Sequence, residues 1–304
     1  MRFELTGDQK DFAAALESLV AAADSVGIAR AWAEGEHEPG LKLWQRLAEQ
    51  GVTMLATEAS PVELCVAFEA LGRHAVPGPW VESAAYLPVA LGREVGGVAT
   101  VAVPPHVPYA LDADVADEVY LATADGLSPA EAAGESKRSV DRTRRLSTVV
   151  EVRGAPATSL ETTDAFDLAA LATSAQLLGL GERVLADSVT YAKQRRQFGR
   201  EIGSYQAIKH ALADVRIALD FARPLIYGAA LDPTPRSVSA AKVMATDAAY
   251  LAARTGLQVH GAIGYTQEFD LSIWLTKIRA LVTAWGTPAF HRARVLESLT
   301  EDGA

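Results

Sequence analysis

The sequence predicts a mainly α protein with a small β module, and three observations carry that reading. Helical spacing of apolar residues fills both ends of the chain, a β-prone stretch interrupts it in the middle, and prolines and glycines fall between these regions. The expected organisation is an N-terminal helical domain over 1–94, a shortened middle β domain over 95–155, and a C-terminal four-helix bundle over 156–304.

In the first region Thr6 and Gln9 stand at capping-box spacing. Phe12, Leu16 and Val20 follow at four-residue steps, which places them on one helix face. A second helix holds Leu41, Trp44 and Leu47 and stops at Gly51. A third runs from about Ser60 to Leu71, and the two prolines of segment 76–80 break the helical bonding beyond it. In the middle region Val98, Thr100, Val101 and Val103 are β-prone, as are Val119 to Leu121 and Ser147 to Val152. They predict a small antiparallel module. Helical periodicity returns from about 163. Ile208, Leu212, Val215 and Leu219 form a narrow stripe, the alanine-dense stretch 237–257 permits close helix approach, and Pro233 and Pro235 separate the two.

Composition bounds the function. The chain has 304 residues, 49% hydrophobic and 22% charged, enough for a substantial core. A net charge of −10 argues against a nucleic-acid partner, which needs a basic face to meet phosphates. Cys65, the single cysteine, lies in an apolar run and reads as a buried small hydrophobe. No stretch of 18 uncharged apolar residues and no signal-peptide pattern occurs, so the expected setting is cytoplasmic without membrane insertion. His37, His74, His106, His210 and His291 lie at no metal spacing.

Two motifs carry chemistry. The first spans Tyr191-Ala-Lys-Gln-Arg-Arg-Gln-Phe-Gly199 and continues to Ile202, Tyr205 and Gln206. The second is Gln258-Val-His-Gly-Ala-Ile-Gly-Tyr-Thr266, followed by Glu268. Taken alone, the first reads as a helix end with a basic last turn and a glycine cap. Together, at this separation, the pair resembles the signatures of acyl-CoA dehydrogenases. The resemblance is firm from Phe166 to Arg279 and weaker elsewhere, and Asp141 to Leu146 resembles the end of that family's middle β domain.

The resemblance implies FAD as cofactor. Arg195 matches the arginine that meets the FAD pyrophosphate of a neighbouring subunit, and a doubly anionic group suits a guanidinium fork. Gln197 and Phe198 match adjoining flavin contacts, and Gln206 a polar contact. Gln258 and Gly261 match positions that touch the partner's FAD, where small residues let the backbone come close. Ala262 stands where the family usually has a second glycine. His260 is expected to pack beside the cofactor end of the bundle, and Glu268 to cap a helix start.

The family also needs a carboxylate base for the proton α to the thioester. One family position for it reads Ala284-Trp285-Gly286-Thr287 here and the other Leu168-Ala169-Ala170-Leu171, so neither offers a carboxylate. The Gly- and Ser-rich loop that holds the flavin ring is also missing between Gly92 and Gly154. The implied protein is therefore a non-catalytic subunit, without catalytic residues of its own. It resembles the shortened chains of actinobacterial α2β2 acyl-CoA dehydrogenases of steroid side-chain breakdown, paired with a glutamate-bearing catalytic homologue that holds most of the acyl-CoA. Two other readings stay open. One is a self-sufficient enzyme using Glu268 or His260 as base, the other a non-enzymatic scaffold or acyl-CoA-binding paralogue.

Overall fold

The computed structural model describes residues 4–153 and 162–301. Six α-helices come first: α1 (Gly7–Ala21), α2 (Ser25–Glu34), α3 (Glu38–Glu49), α4 (Leu55–Glu58), α5 (Pro61–Arg73) and α6 (Leu87–Leu91). Thr6 caps α1 in a full capping box with Gln9. Leu16 and Val20 are fully buried, as the four-residue spacing predicts. α3 carries Leu43, Trp44 and Leu47 inward and ends just before Gly51, whose φ of 81° is left-handed. After α5 the prolines of segment 76–80 turn the chain so that Trp80 stacks on Trp44 at 3.7 Å. A single π-helical turn, Glu82–Tyr86, then leads into α6.

The β module has seven short strands: β1 (Ala99–Ala102), β2 (Ala110–Leu111), β3 (Glu118–Thr123), β4 (Gly126–Ala132), β5 (Lys137–Arg138), β6 (Arg145–Ser147) and β7 (Val149–Glu151). One sheet has the order β1-β3-β4-β7 and the other β2-β6-β5. The expectation of an antiparallel module needs correction at one pair. β1 and β3 run parallel, with Ala99 opposite Glu118 and Ala102 opposite Leu121. The intervening chain crosses to the second sheet through β2, so β3 re-enters the first sheet in the same direction as β1.

The C-terminal helices are α7 (Thr162–Gln194), α8 (Gln206–Leu231), α9 (Pro235–His260), α10 (Leu271–Leu281) and α11 (Pro288–Glu301). A two-stranded hairpin, β8 (Arg196–Gln197) and β9 (Arg200–Glu201), follows α7. The expected boundary at 155/156 lies outside the described residues. On α8, Val215 and Leu219 are buried while Ile208 and Leu212 are half-buried. Among the described residues no single helix is long and apolar enough to cross a membrane, and no group of His, Cys, Asp or Glu is placed to hold a metal ion.

The helical regions meet through backbone. A Cβ at Gly72 of α5 would lie 2.1 Å from the Gln176 carbonyl oxygen of α7, and one at Gly179 of α7 would lie 2.0 Å from the Glu69 oxygen. Glu69, almost wholly buried, then accepts both guanidinium arms of Arg223 from α8, at 2.8 and 2.9 Å, and the hydroxyl of Tyr227 at 3.0 Å. The Trp274 indole of α10 donates to the Arg73 carbonyl at 2.9 Å. Gly179→Ala is therefore expected to destabilise the protein by about 1–3 kcal/mol through overpacking, measurable as a lower urea midpoint with an unchanged slope.

Candidate functional site

The first motif ends α7 and enters the β8–β9 hairpin, where Arg196 pairs with Glu201 and Gln197 with Arg200. Phe198 and Gly199, at φ 52° and 80°, make the two-residue turn that suits such a hairpin. This turn holds Phe198 91% exposed, an unusual setting for a phenyl ring. Arg195 is also exposed. Its backbone carbonyl accepts from Ile202 N at 2.8 Å, and its guanidinium has no carboxylate partner among the described residues. Arg200 lies over the Tyr205 ring at 3.9 Å, and Gln206 begins α8 with its side chain exposed.

The second motif ends α9. Gln258 is exposed on the last turn, and Gly261 has φ 63° with nothing within 4 Å of where a Cβ would stand. Ala262 is exposed, so its methyl group extends outward rather than into the bundle. His260 joins the motifs: it is 5% exposed, stacks on Tyr191 at 4.3 Å, and places Nδ1 2.8 Å from the Gly256 carbonyl. The structure thus places Arg195, Gln197, Phe198 and Gln206 around one helix junction and Gln258, Gly261 and Ala262 at the adjoining end of α9. All except half-buried Gly261 are exposed. His260 has the packing role expected of it.

Glu268 does not. The expected helix begins later, at Leu271 with Asp270 as its N-cap residue, and no side chain caps it. Glu268 instead offers its backbone carbonyl to Arg30 at 2.9 Å.

The place of the missing base is filled. Trp285 is 1% exposed, lies 4.9 Å from the Tyr86 ring and meets Phe166 edge-on at 5.9 Å. Its carbonyl accepts from His291 Nε2 at 2.9 Å, so His291 Nδ1 accepts from the Ser239 hydroxyl at 3.1 Å. At the second position Ala169, Ala170 and Leu171 are fully buried, and the neighbouring carboxylate, Asp167, is clamped by both arms of Arg294 at 2.6 and 3.1 Å.

Sequence reasoning missed one carboxylate here. Glu82, on the π-helical turn, is 2% exposed. Burial pushes its pKa up, against the opposing pull of the Arg144 guanidinium and the Trp285 indole. It lines none of the cavities around it, so it is sealed beneath Trp285 rather than presented to a ligand. A lone glutamate between apolar residues gives no signal in the sequence.

Comparison with known proteins identifies the fold and its kin. Acyl-CoA dehydrogenase IpdE2 of Mycobacterium tuberculosis is 32% identical over 77% of this chain and 79% of its own length. The chain belongs to the acyl-CoA dehydrogenase family. Residues 161–300 match the family description "Acyl-CoA dehydrogenase, C-terminal domain". IpdE2 of Mycolicibacterium smegmatis is 29% identical over 85% of this chain and 88% of its own. Among solved structures, a chain of the ChsE4-ChsE5 complex from Mycobacterium tuberculosis superposes with TM-score 0.79 at 21% identity, covering 99% of both. Glutaryl-CoA dehydrogenase from Mycobacterium smegmatis gives TM-score 0.83 at 18% identity over 98% of this chain and 95% of its own. The acyl-CoA dehydrogenases are flavin-dependent oxidoreductases, and this chain has their mostly helical fold with its small β module.

The exposed motif residues fit an FAD. Arg195 has an uncommitted guanidinium, Gly261 leaves room for close backbone approach, and Phe198 offers an apolar face. When bound, FAD supplies the hydride acceptor for oxidation of an acyl thioester.

Burial lowers the His291 pKa from 6.5 to about 4, despite the favourable Trp285 carbonyl. A depressed histidine contributes stability above its unfolded value and loses it as pH falls through the folded one. Stability is therefore expected to decline from pH 6.5 towards pH 4. His291→Gln, which retains a donor for the Trp285 carbonyl, is expected to flatten that decline by up to roughly 3 kcal/mol in urea titrations across this range.

Proposed function

We propose that this chain is the non-catalytic subunit of a heteromeric FAD-dependent acyl-CoA dehydrogenase. The observation that carries the proposal is the contrast between the two half-sites. The residues matched to FAD contacts face outward and lack partners, while an indole packed against Tyr86 and Phe166 fills the place of the base.

In this reading Arg195 meets the pyrophosphate and Gln258 with Gly261 holds the nucleotide end of the cofactor. Gln197, Phe198 and Gln206 extend the same contact. A glutamate-bearing homologue supplies the flavin-ring pocket, takes the α-proton and holds most of the acyl-CoA, in an α2β2 assembly. The names of matched structures support a heteromer: one is the ChsE4-ChsE5 complex, another a Tcur3481-Tcur3483 steroid acyl-CoA dehydrogenase that superposes with TM-score 0.80. By the same analogy the acyl group is a steroid side chain, the setting is actinobacterial and cytoplasmic, and the three segments 1–94, 95–155 and 156–304 act as domains. The self-sufficient reading finds little support, because His260 is committed to Tyr191 and the Gly256 carbonyl.

Co-expression with a glutamate-bearing homologue is expected to yield a complex that retains flavin and oxidises an acyl-CoA. Arg195→Ala in this chain is expected to lower flavin content of that complex about tenfold or more under dilution, the scale of a lost charge-assisted contact. An isolated chain that purified yellow and oxidised acyl-CoA unaided would overturn the proposal.

A further inference from the structure

Arginines in this acidic molecule are mostly spoken for. Arg30 reaches Asp270, Arg142 reaches Glu34, Arg145 reaches Asp114, Arg183 reaches Asp187, Arg292 reaches Asp247 and Arg294 reaches Asp167. Arg254 and Arg279 break the pattern. Neither has a carboxylate partner among the described residues, although the chain carries 38 acidic side chains against 28 lysines and arginines.

These two arginines line the same groove, between α9 and α10, with a cavity of about 370 Å3. Its lining contains no aspartate or glutamate. Leu257 and Leu275 give it an apolar floor, while Tyr250 and Tyr265, 42% and 76% exposed, supply aromatic surface. Arg279 also lines an adjoining cavity of about 460 Å3, which again has no carboxylate and adds Arg144 and His106. Leaving guanidinium groups unpaired in a water-accessible groove beside aromatic rings serves a ligand that is both anionic and planar. Each guanidinium presents a donor fork to phosphate, and tyrosine faces stack on a flat base. The volume also falls in the range of small-molecule sites, about 300–1,000 Å3.

We propose that the α9–α10 groove is a nucleoside-phosphate subsite, with Arg254 and Arg279 as its phosphate ligands and Tyr265 as its stacking surface. Arg254 lies one helical turn before Gln258 on α9, so the groove adjoins the proposed FAD contacts without depending on them. Its occupant is an adenosine diphosphate moiety, which occurs both in FAD and in coenzyme A.

The test is calorimetric titration of the full chain with ADP, coenzyme A, FAD, riboflavin and inorganic pyrophosphate. ADP is expected to bind and riboflavin, which has no phosphate, to fail. Arg254→Gln and Arg279→Gln are each expected to weaken ADP about tenfold or more. Tyr265→Leu is expected to weaken ADP and leave pyrophosphate unchanged. All three side chains are exposed, and far-UV circular dichroism of each variant checks that the fold is kept. In the assembled complex, an Arg254→Gln loss of flavin retention identifies FAD as the source. An increase in the Kd for coenzyme A at full flavin content identifies the thioester instead. Arg195→Ala addresses the flavin reading separately, since it acts on flavin retention and not on ADP affinity of the free chain. Absence of ADP binding, or variants that bind as the parent does, would overturn the subsite.

Discussion

The direct backbone contact of α5 with α7, at Gly72 and Gly179, is the constraint on which the rest of the structure depends. It joins the N-terminal helices to the longest helix of the bundle at a spacing no side chain could share. Glu69 is buried by that approach, and its charge is then balanced by Arg223 of α8, which also reaches Glu182 of α7 at 3.0 Å. A buried carboxylate is tolerated when so fully paired, and removing its partner is costly. The contact therefore fixes α7 against both α5 and α8. Through Trp274 it also positions α10, which leads to the Trp285 turn.

With the frame set, the two ends of the bundle have opposite characters. Around Trp285 everything is internal. Tyr86, Phe166 and Phe290 form an aromatic group with it and with each other, His291 holds its carbonyl, and Glu82 is enclosed beneath it. Acid–base catalysis needs a titrating group that touches the reacting atom, and the carboxylates here are enclosed or clamped. At the end formed by α7 and α9, side chains that bind anions or stack on rings point outward. A cofactor with an anionic nucleotide half suits the second end, and its redox half needs a different protein surface.

Much of this was legible in the sequence because it is local. The Thr6 and Gln9 box, the inward faces of α1 and α3, and the hairpin turn at Phe198-Gly199 all follow from residues within one or two turns of each other. The absence of a carboxylate at Trp285 and at Leu168 to Leu171 was equally readable. What escaped was non-local. The parallel pairing of β1 with β3 depends on where β2 crosses, which strand propensity does not encode. Glu268 falls short of the helix it was expected to cap because the turn after Gly261 runs on to Asp270. Glu82 looked like an ordinary polar residue until Trp285 and Tyr86, far along the chain and next to it, closed over it. The unpaired state of Arg254 and Arg279 is likewise a fact of tertiary neighbours.

The central claim is that no carboxylate of this chain takes the substrate's α-proton. Anaerobic stopped-flow reduction of the flavin by acyl-CoA in the assembled complex tests it most directly. Glu82→Gln and Glu268→Gln are the variants to compare with the parent. The account predicts flavin bleaching at the parent rate for both. A fall of about a hundredfold or more in either, the usual scale for loss of a general base, would contradict it.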